Sequence, residues 1–316
     1  MEGEQLAMHD FFVDSRFSHI ATFLRAPHAA PARGLDIALV GVPFDLGTNF
    51  RPGARWAPGA LREASRVIKL VHYPSGISPL QDCKVADVGD VGLNGLDMAD
   101  SLQRIETFFA SLHRDGIRPV AVGGDHTIPL PILRAIARDA PVGLVQFDAH
   151  PDTADTALGT KINHATPFRR AVEEGLIDPK RTVQIGLRGS VNTMADIQWG
   201  RDAGMRVIDM DEYEALGRAG AIAEIRRVIG DRPAYVTFDI DGIDASQAPG
   251  TGVPEVGGLS VRDCQVILRA LHDRHIIGAD LCEVAPLLDG GGITAIAGVN
   301  ILFELTTLIA ASLRAR

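Results

Sequence analysis

Two short strings in this 316-residue chain concentrate groups that bind cations. "DAHPD" places Asp148, His150 and Asp152 at alternate positions, and "DID" repeats the spacing at Asp239 and Asp241. A third string, "GGDHT", delivers Asp125 and His126 behind a double glycine. Each follows an apolar run, "VGLVQF", "YVTF" or "RPVAV", that reads as a strand. On an extended segment residues two apart face the same way, so the alternation predicts Asp148, His150 and Asp152 on one face and Asp239 with Asp241 on another. Three strand ends then offer imidazoles and carboxylates at matching heights.

Uncompensated, such a cluster is costly, because neighbouring carboxylates repel and burial disfavours each charged form. Hard divalent cations suit the mixture of oxygen and imidazole donors, and the lack of a cysteine in the cluster weakens a thiolate-zinc reading. Four carboxylates, Asp148, Asp152, Asp239 and Asp241, with two neutral imidazoles, His126 and His150, neutralise two divalent ions. Two such ions share a water and lower its pKa from about 15.7 towards neutrality, so the predicted reaction is hydrolysis by a bridging hydroxide. A two-metal phosphoesterase is the alternative class, although a formally neutral core without a nearby Lys or Arg motif traps an anionic group less well. An isolated DxD is commonly a solvated turn; the joint occurrence at three strand ends carries the metal reading.

The elements that must position these groups alternate regularly. "DIALVGV" reads as a strand from Asp36 to about Val42, and Pro58 and Gly59 precede a helix in "ALREASRVIKLV". "CKVADVGDV" is a further strand, and "MADSLQRIETFFASLHRDG" an amphipathic helix closed by Gly116. Helices near Ile128 to Ala137 and in "ATPFRRAVEEGL", "NTMADIQWGRDAG", "AIAEIRRVIG", "VRDCQVILRALHD" and "AIAGVNILFELTTLIAASL" separate strands in "RTVQIGLRG", "MRVIDM" and "IIGADLCEV" from those already named. About eight apolar strands joined by helices demand parallel connections, hence an α/β fold with a largely parallel sheet covered on both faces. A closed eight-stranded barrel shares that element count. Residues 1–35, ending in the Pro-rich "RAPHAAPARG", are expected to form an N-terminal arm, and 36–316 a single domain.

Composition narrows the function classes. Hydrophobic residues make up 46% of the chain, enough for a sizeable core. With 31 Lys and Arg against 40 Asp and Glu, a formal charge of -9, and no basic run interleaved with aromatics, neither nucleic acid nor an anionic membrane is expected as a partner. No uninterrupted apolar span of about 18 residues occurs, and the acidic start is unlike a secretory signal. Cys83, Cys264 and Cys282 cannot all pair within one chain, which points to a reducing, cytoplasmic compartment.

Taken together, "GGDHT", "DAHPDT", "FDIDGID" followed by "APGTGVPEVGG", and "GADLCEV" resemble the arginase and agmatinase family of ureohydrolases, with "GVPFDLGTNFRPGARWAPG" and the C-terminal helix extending the likeness over nearly the whole chain. The resemblance implies a three-layer α/β/α fold around a largely parallel eight-stranded sheet, two Mn2+ ions, and hydrolysis of a guanidino C–N bond to release urea. It implies metal-ligand roles for His126, Asp148, His150, Asp152, Asp239 and Asp241. His164, in "KINHATPF", matches the family's proton-shuttling histidine, and Glu283 the glutamate that pairs with the substrate guanidinium. Asp125 is expected to support His126 or its loop by hydrogen bonding, while Asp155 and Asp244 read as loop acids. The resemblance also implies a homo-oligomer, trimer or hexamer.

The loops resemble bacterial enzymes acting on guanidino acids such as 3-guanidinopropionate and 4-guanidinobutyrate, with Arg169, Arg170 and Arg188 as candidates to meet a distal carboxylate. Agmatine is the alternative, its amine tail seeking acidic loops. Two departures mark this chain: Ala245 stands where the family often has proline, and "EVAPLLDGGG" replaces the usual serine and paired prolines. These keep open an alkylated guanidine or biguanide as substrate and Ni2+ in place of Mn2+; a non-catalytic homologue or partner subunit is a separate alternative class.

Overall fold

The computed structural model describes residues 11, 13–31 and 33–315. Residues 1–10, 12 and 32 of the expected arm, and residue 316, lie outside the described residues. The strands are β1 (Ile37–Gly41), β2 (Val85–Asp90), β3 (Arg118–Val122), β4 (Val142–Phe147), β5 (Ile177–Leu187), β6 (Arg206–Asp209), β7 (Ala234–Asp239) and β8 (Ile276–Cys282). Between and after them run α1 (Ala57–Ala64), α2 (Pro79–Asp82), α3 (Met98–Arg114), α4 (Pro129–Ile136), α5 (Pro167–Glu173), α6 (Met194–Ala203), α7 (Met210–Ile229), α8 (Val261–Arg269) and α9 (Ile293–Arg314). The four-residue α2 has no counterpart in the sequence reading, and β5 begins earlier than "RTVQIGLRG" suggested.

Strand side chains divide by parity, as the pleat requires. Ile37, Leu39, Val120, Val122, Val145, Phe147, Val236 and Phe238 join one buried cluster, beneath α1, α7, α8 and α9. Ala38, Val40, Ala121, Leu144 and Tyr235 join the other, beneath α3, α4 and α5. Two apolar faces, each roofed by helices, make three layers. Phe147 and Phe238 stack across adjacent strands with ring centres 4.9 Å apart. By length and composition α9 is apolar enough to cross a membrane, but 72% of its most apolar 18-residue window is buried inside the protein, where it packs along β8, β3 and β1.

All eight strands are parallel, in the order β2-β1-β3-β8-β7-β4-β5-β6. The sheet is open, with β2 and β6 at its edges, so the barrel is excluded. Because β7 and β8 enter the gap between β3 and β4, segments far apart in sequence become neighbours. Their register is level: Val122 pairs with Leu281, Leu281 with Phe238, and Phe238 with Phe147. One residue beyond that row begins the crevice at the carboxyl ends, where open α/β sheets place their ligands.

Part of the expected arm belongs to the core. Thr22 to Ala26 are buried, and Phe23 N–H donates to Asp87 Oδ2 at 2.9 Å. The same carboxylate, fully buried on β2, accepts from Arg62 Nε at 2.8 Å, Arg62 Nη2 at 3.0 Å and Gly89 N–H at 3.0 Å, while the guanidinium lies 4.1 Å over the Phe23 ring. Removing one member of a buried ion pair strands the other, at a cost of about 3–5 kcal/mol. Asp90, 2.7 Å from Arg62, remains as a second partner. Asp87→Ala is therefore expected to lose about 3 kcal/mol, the low end of that range, seen as a lower urea midpoint with an unchanged denaturant slope; a wild-type midpoint would show that Asp90 alone suffices.

Candidate active site

The two glycines ahead of Asp125 are required by their surroundings. Both Gly123 and Gly124 have φ 88°, and a Cβ would lie 2.7 Å from Pro58 Cδ at the first and 2.8 Å from the Val42 carbonyl oxygen at the second. The chain turns sharply at the end of β3 and brings His126 over the ends of β4 and β7.

The acids reach the same place by routes other than extended alternation. β4 ends at Phe147, and Asp152 has φ 51°, so a left-handed residue, not a continued strand, turns it inward. Asp239 closes β7, and Asp241 sits in a 3-10 turn, Ile240–Gly242, whose Asp241 N–H donates to Asp239 Oδ1 at 2.8 Å. Ala149 N–H donates to Asp241 Oδ1 at 3.1 Å, tying the two acidic turns together. Gly242 permits this approach, since a Cβ there would stand 2.8 Å from the Asp148 nitrogen.

All six predicted ligands converge. His126 Nδ1 lies 2.9 Å from Asp152 Oδ2, 3.0 Å from Asp148 Oδ2 and 3.3 Å from Asp239 Oδ2. His150 Nδ1 lies 3.1 Å from Asp241 Oδ2 and 3.6 Å from Asp148 Oδ1. Five of them form two groups, His126 with Asp148 and Asp239, and Asp148 with His150 and Asp241; within each group the donor atoms lie within 4.8 Å of one another, and Asp152 adjoins the first through His126. Asp148 is common to both.

Protein groups alone satisfy this set badly. Burial, then repulsion from Asp241 and Asp148, drives the Asp239 carboxyl well above its usual range. Burial and the charge of Asp148 raise Asp152 to about 6, and burial raises Asp241 against the pull of His150. For Asp148 burial is outweighed by hydrogen bonds from His126 and His150, which hold it low. Burial opposes the charge on His150 as well, but Asp241 and Asp148 raise it to about 12. One imidazole proton cannot serve three carboxylates at about hydrogen-bond distance. A pair of divalent cations fits this donor set, because it meets every carboxylate at once and allows both rings to be neutral ligands.

His164 and Glu283 meet beside the cluster. Glu283 Oε1 takes His126 N–H at 2.9 Å and lies 2.9 Å from His164 Nδ1. Glu283 is 4% exposed and has φ 61°, a conformation costly for a side-chain-bearing residue and one that collects at functional sites. Burial resists a charge on His164, but Glu283, then Asp125 and Asp152, raise its pKa to about 9. Asn49 N–H, 3.2 Å from Nε2, favours the neutral ring instead. A charge-assisted hydrogen bond is roughly twice as strong as a neutral one, so the carboxylates win.

Asp125 supports a loop. Its Oδ2 accepts from Gly47 N–H at 2.7 Å and Thr48 Oγ1 at 3.3 Å, and Gly47 O in turn accepts from His164 N–H at 3.2 Å. Asp244 is a turn acid, accepting from the Ser246 and Gly258 amides, each at 2.9 Å. Sequence reasoning missed Asn49 on the site wall, and Thr237 and Asp280 behind His126; a charged residue inside the apolar run "IIGADLC" was the available signal for Asp280.

A cavity of about 650 Å³ opens over His150, Asp152, Asp239, Asp241, His164 and Glu283. The three candidate arginines do not line it. Arg170 is held by Asp155 and Glu173, each at 2.9 Å, and Arg169 bonds Glu173 at 3.1 Å while lying over Trp199. Arg188 is spent on backbone carbonyls, among them Asp241 O at 2.7 Å and Glu255 O at 2.8 Å. Among the described residues the wall instead carries Asn49, Ser190, Asn192 and Thr193 with the acids Asp155, Asp196 and Glu255, and no lysine or arginine.

The sequence profile of the Arginase family matches residues 35–307. The chain is 47% identical to guanidinopropionase of Pseudomonas aeruginosa over 94% of each chain, and 44% identical to a mitochondrial agmatinase of Gallus gallus over 92% of this chain and 86% of that one. Its fold superposes on proclavaminate amidino hydrolase from Streptomyces clavuligerus with a TM-score of 0.90 and 38% identity, covering 95% of this chain and 100% of that one. The chain belongs to the arginase family, whose members are metal-dependent amidinohydrolases.

Proposed function

We propose that the chain hydrolyses the guanidino C–N bond of a small guanidino acid, such as 3-guanidinopropionate or 4-guanidinobutyrate, releasing urea and an amine. The observation that carries the reading is the meeting of Glu283 and His164 at 2.9 Å beside six converging imidazoles and carboxylates. The guanidino-acid tail is supported by 47% identity to a guanidinopropionase and 44% to a guanidinobutyrase of Pseudomonas aeruginosa. With the three arginines turned away, amide and hydroxyl donors at Asn49, Ser190, Asn192 and Thr193 are left to meet its carboxylate. A second reading, an agmatine-like amine tail, is favoured by Asp196 and Glu255 on the same wall.

His126, Asp148, His150, Asp152, Asp239 and Asp241 are proposed to hold two Mn2+ ions, with Ni2+ as the alternative. When bound, the ions supply a water activated for attack at neutral pH. The protein supplies the rest. Glu283 draws the planar guanidinium against itself by a charge-assisted bond and so turns the electrophilic carbon towards the cluster. His164, favoured in its protonated form, presents Nδ1–H on the Glu283 side and delivers the proton that the departing amine needs. The Asp125-braced loop of Gly47 to Asn49 keeps the ring there.

Residues 36–316 are proposed to act as one catalytic domain in the cytoplasm, in keeping with three unpaired cysteines. A homo-oligomer is proposed on the exposed Trp56 and Leu287, carried on adjoining turns; a homologous partner subunit is the alternative occupant.

Urea release should vanish on chelation and return with Mn2+ or Ni2+. Asp148→Asn, which alters the carboxylate common to both donor groups, should lose metal occupancy and turnover together when the two are measured on the same sample. His164→Asn should keep both ions yet turn over about 10²-fold more slowly, the usual scale of general-acid catalysis; wild-type turnover at full occupancy removes the proton-carrier role. Across a panel of guanidinopropionate, guanidinobutyrate, agmatine, arginine and alkylated guanidines, the highest kcat/KM is expected for a guanidino acid. An agmatine preference would select the second reading, and phosphate release from esters without urea from any member would defeat both.

A further inference from the structure

Behind His126, on the side away from the acids, two buried polar residues face each other across the sheet. Thr237 on β7 pairs in register with Asp280 on β8, and both are fully buried. Thr237 Oγ1 stands 2.8 Å from His126 Nε2 and 2.8 Å from Asp280 Oδ1, and the Cys282 thiol lies 3.3 Å from the same Asp280 oxygen. We infer that Thr237 and Asp280 are positioning residues that lock His126 in the tautomer with a bare Nδ1, and that this makes the acidic cluster a cation site.

The argument is a count of protons. A threonine hydroxyl has one to give and a carboxylate has none. With the Thr237 proton directed to Asp280, the hydroxyl oxygen accepts from His126, so the imidazole proton sits on Nε2. A neutral ring has only that proton, which leaves a lone pair on Nδ1. That lone pair points at Asp152, Asp148 and Asp239 oxygens 2.9, 3.0 and 3.3 Å away. A divalent cation among them binds the lone pair and the carboxylates at once. Without the relay, His126 is free to carry its one proton on Nδ1 and donate it to Asp152 or Asp148, filling the site with its own hydrogen bond. His126 with Asp280 and Cys282 also forms a possible donor group on the Nε2 side, but the Thr237 hydroxyl already bridges the ring to Asp280. Phe168, edge-on to the ring at 5.1 Å, restrains its plane and leaves the choice of nitrogen to the relay.

The inference rests on the metal-ligand reading, and its test separates the two. Thr237→Val keeps the branched shape and removes the hydroxyl; Thr237→Ser keeps the hydroxyl. Chelator-stripped protein is titrated with Mn2+, reading stoichiometry and affinity for each ion, with circular dichroism and metal-free thermal midpoints confirming the fold. Wild type is expected to take two ions. Thr237→Val should weaken one of them about 10- to 100-fold, the usual effect of removing a hydrogen-bond partner behind a ligand, while the ion served by Asp148, His150 and Asp241 keeps its affinity. Thr237→Ser should restore binding. Should the valine variant not fold, Asp280→Ala, which removes the acceptor the relay ends on and frees the Thr237 hydroxyl to donate to His126 Nε2, is expected to show the same selective loss. Two ions bound by Thr237→Val with wild-type affinities would overturn the relay. Wild-type protein that takes up no second ion would instead overturn the metal-centre reading beneath it.

Discussion

Four buried carboxylates held within a few ångströms of two imidazoles are the constraint on which the rest of the structure depends. In water such a group disperses; inside a protein each charge loses solvation and gains repulsion. The fold makes it bearable by spending backbone donors on the acids before any cation is considered. Asp148 takes the His150 amide, Asp239 the Asp241 amide and Asp241 the Ala149 amide. Asp125 is treated in the same way, bound by the amides of Gly47 and Thr127. These bonds fix where each carboxylate points, so a divalent cation meets donors already aimed, and less ordering has to accompany binding.

The sheet order serves the same end. The proposed metal donors arise at and beyond the ends of β3, β4 and β7, and Glu283 from the end of β8, which are the four adjacent central strands. Parallel strands with a level register bring these ends to one height, and the helices on both faces keep the sheet dry beneath them. The backbone stores strain where the chemistry is proposed: Asp152 and Glu283, two of the few side-chain-bearing residues with positive φ, both face the cavity. Each conformation costs of order 1–3 kcal/mol and persists only where its surroundings hold it; here the hydrogen bond from His126 N–H to Glu283 and the contact of His126 Nδ1 with Asp152 do so.

Much of this was legible in the sequence, for identifiable reasons. The strands of a doubly covered sheet are continuous apolar runs, and donors placed at their carboxyl ends stand out against them. The match of strings to a known family then extended the reading to His164 and Glu283. What periodicity could not convey is non-local or irregular geometry. The order β3-β8-β7-β4 depends on which strands pair, which no single segment states. Asp152 and Asp241 arrive by a left-handed residue and a 3-10 turn, where alternation along a strand pointed to the right cluster for an incomplete reason. Arg169, Arg170 and Arg188 looked available for an anionic tail because composition shows a charge but not its partner. Thr237 was hidden as an ordinary β-branched strand residue.

Chemistry and specificity therefore sit on different parts of the molecule. The reacting end is built from strand termini and the braced turn of Gly47 to Asn49, positions fixed by ladder hydrogen bonds and by glycines that tolerate no Cβ. The far wall comes from the polar segments around Asp155, Ser190 to Thr193 and Glu255. On the proposed reading, a substitution on that wall changes which tail is accepted without disturbing Glu283 or the donors beneath it. On that reading, relatives named for guanidinopropionate, guanidinobutyrate and agmatine can stand at similar identities to one chain, 47%, 44% and 44%.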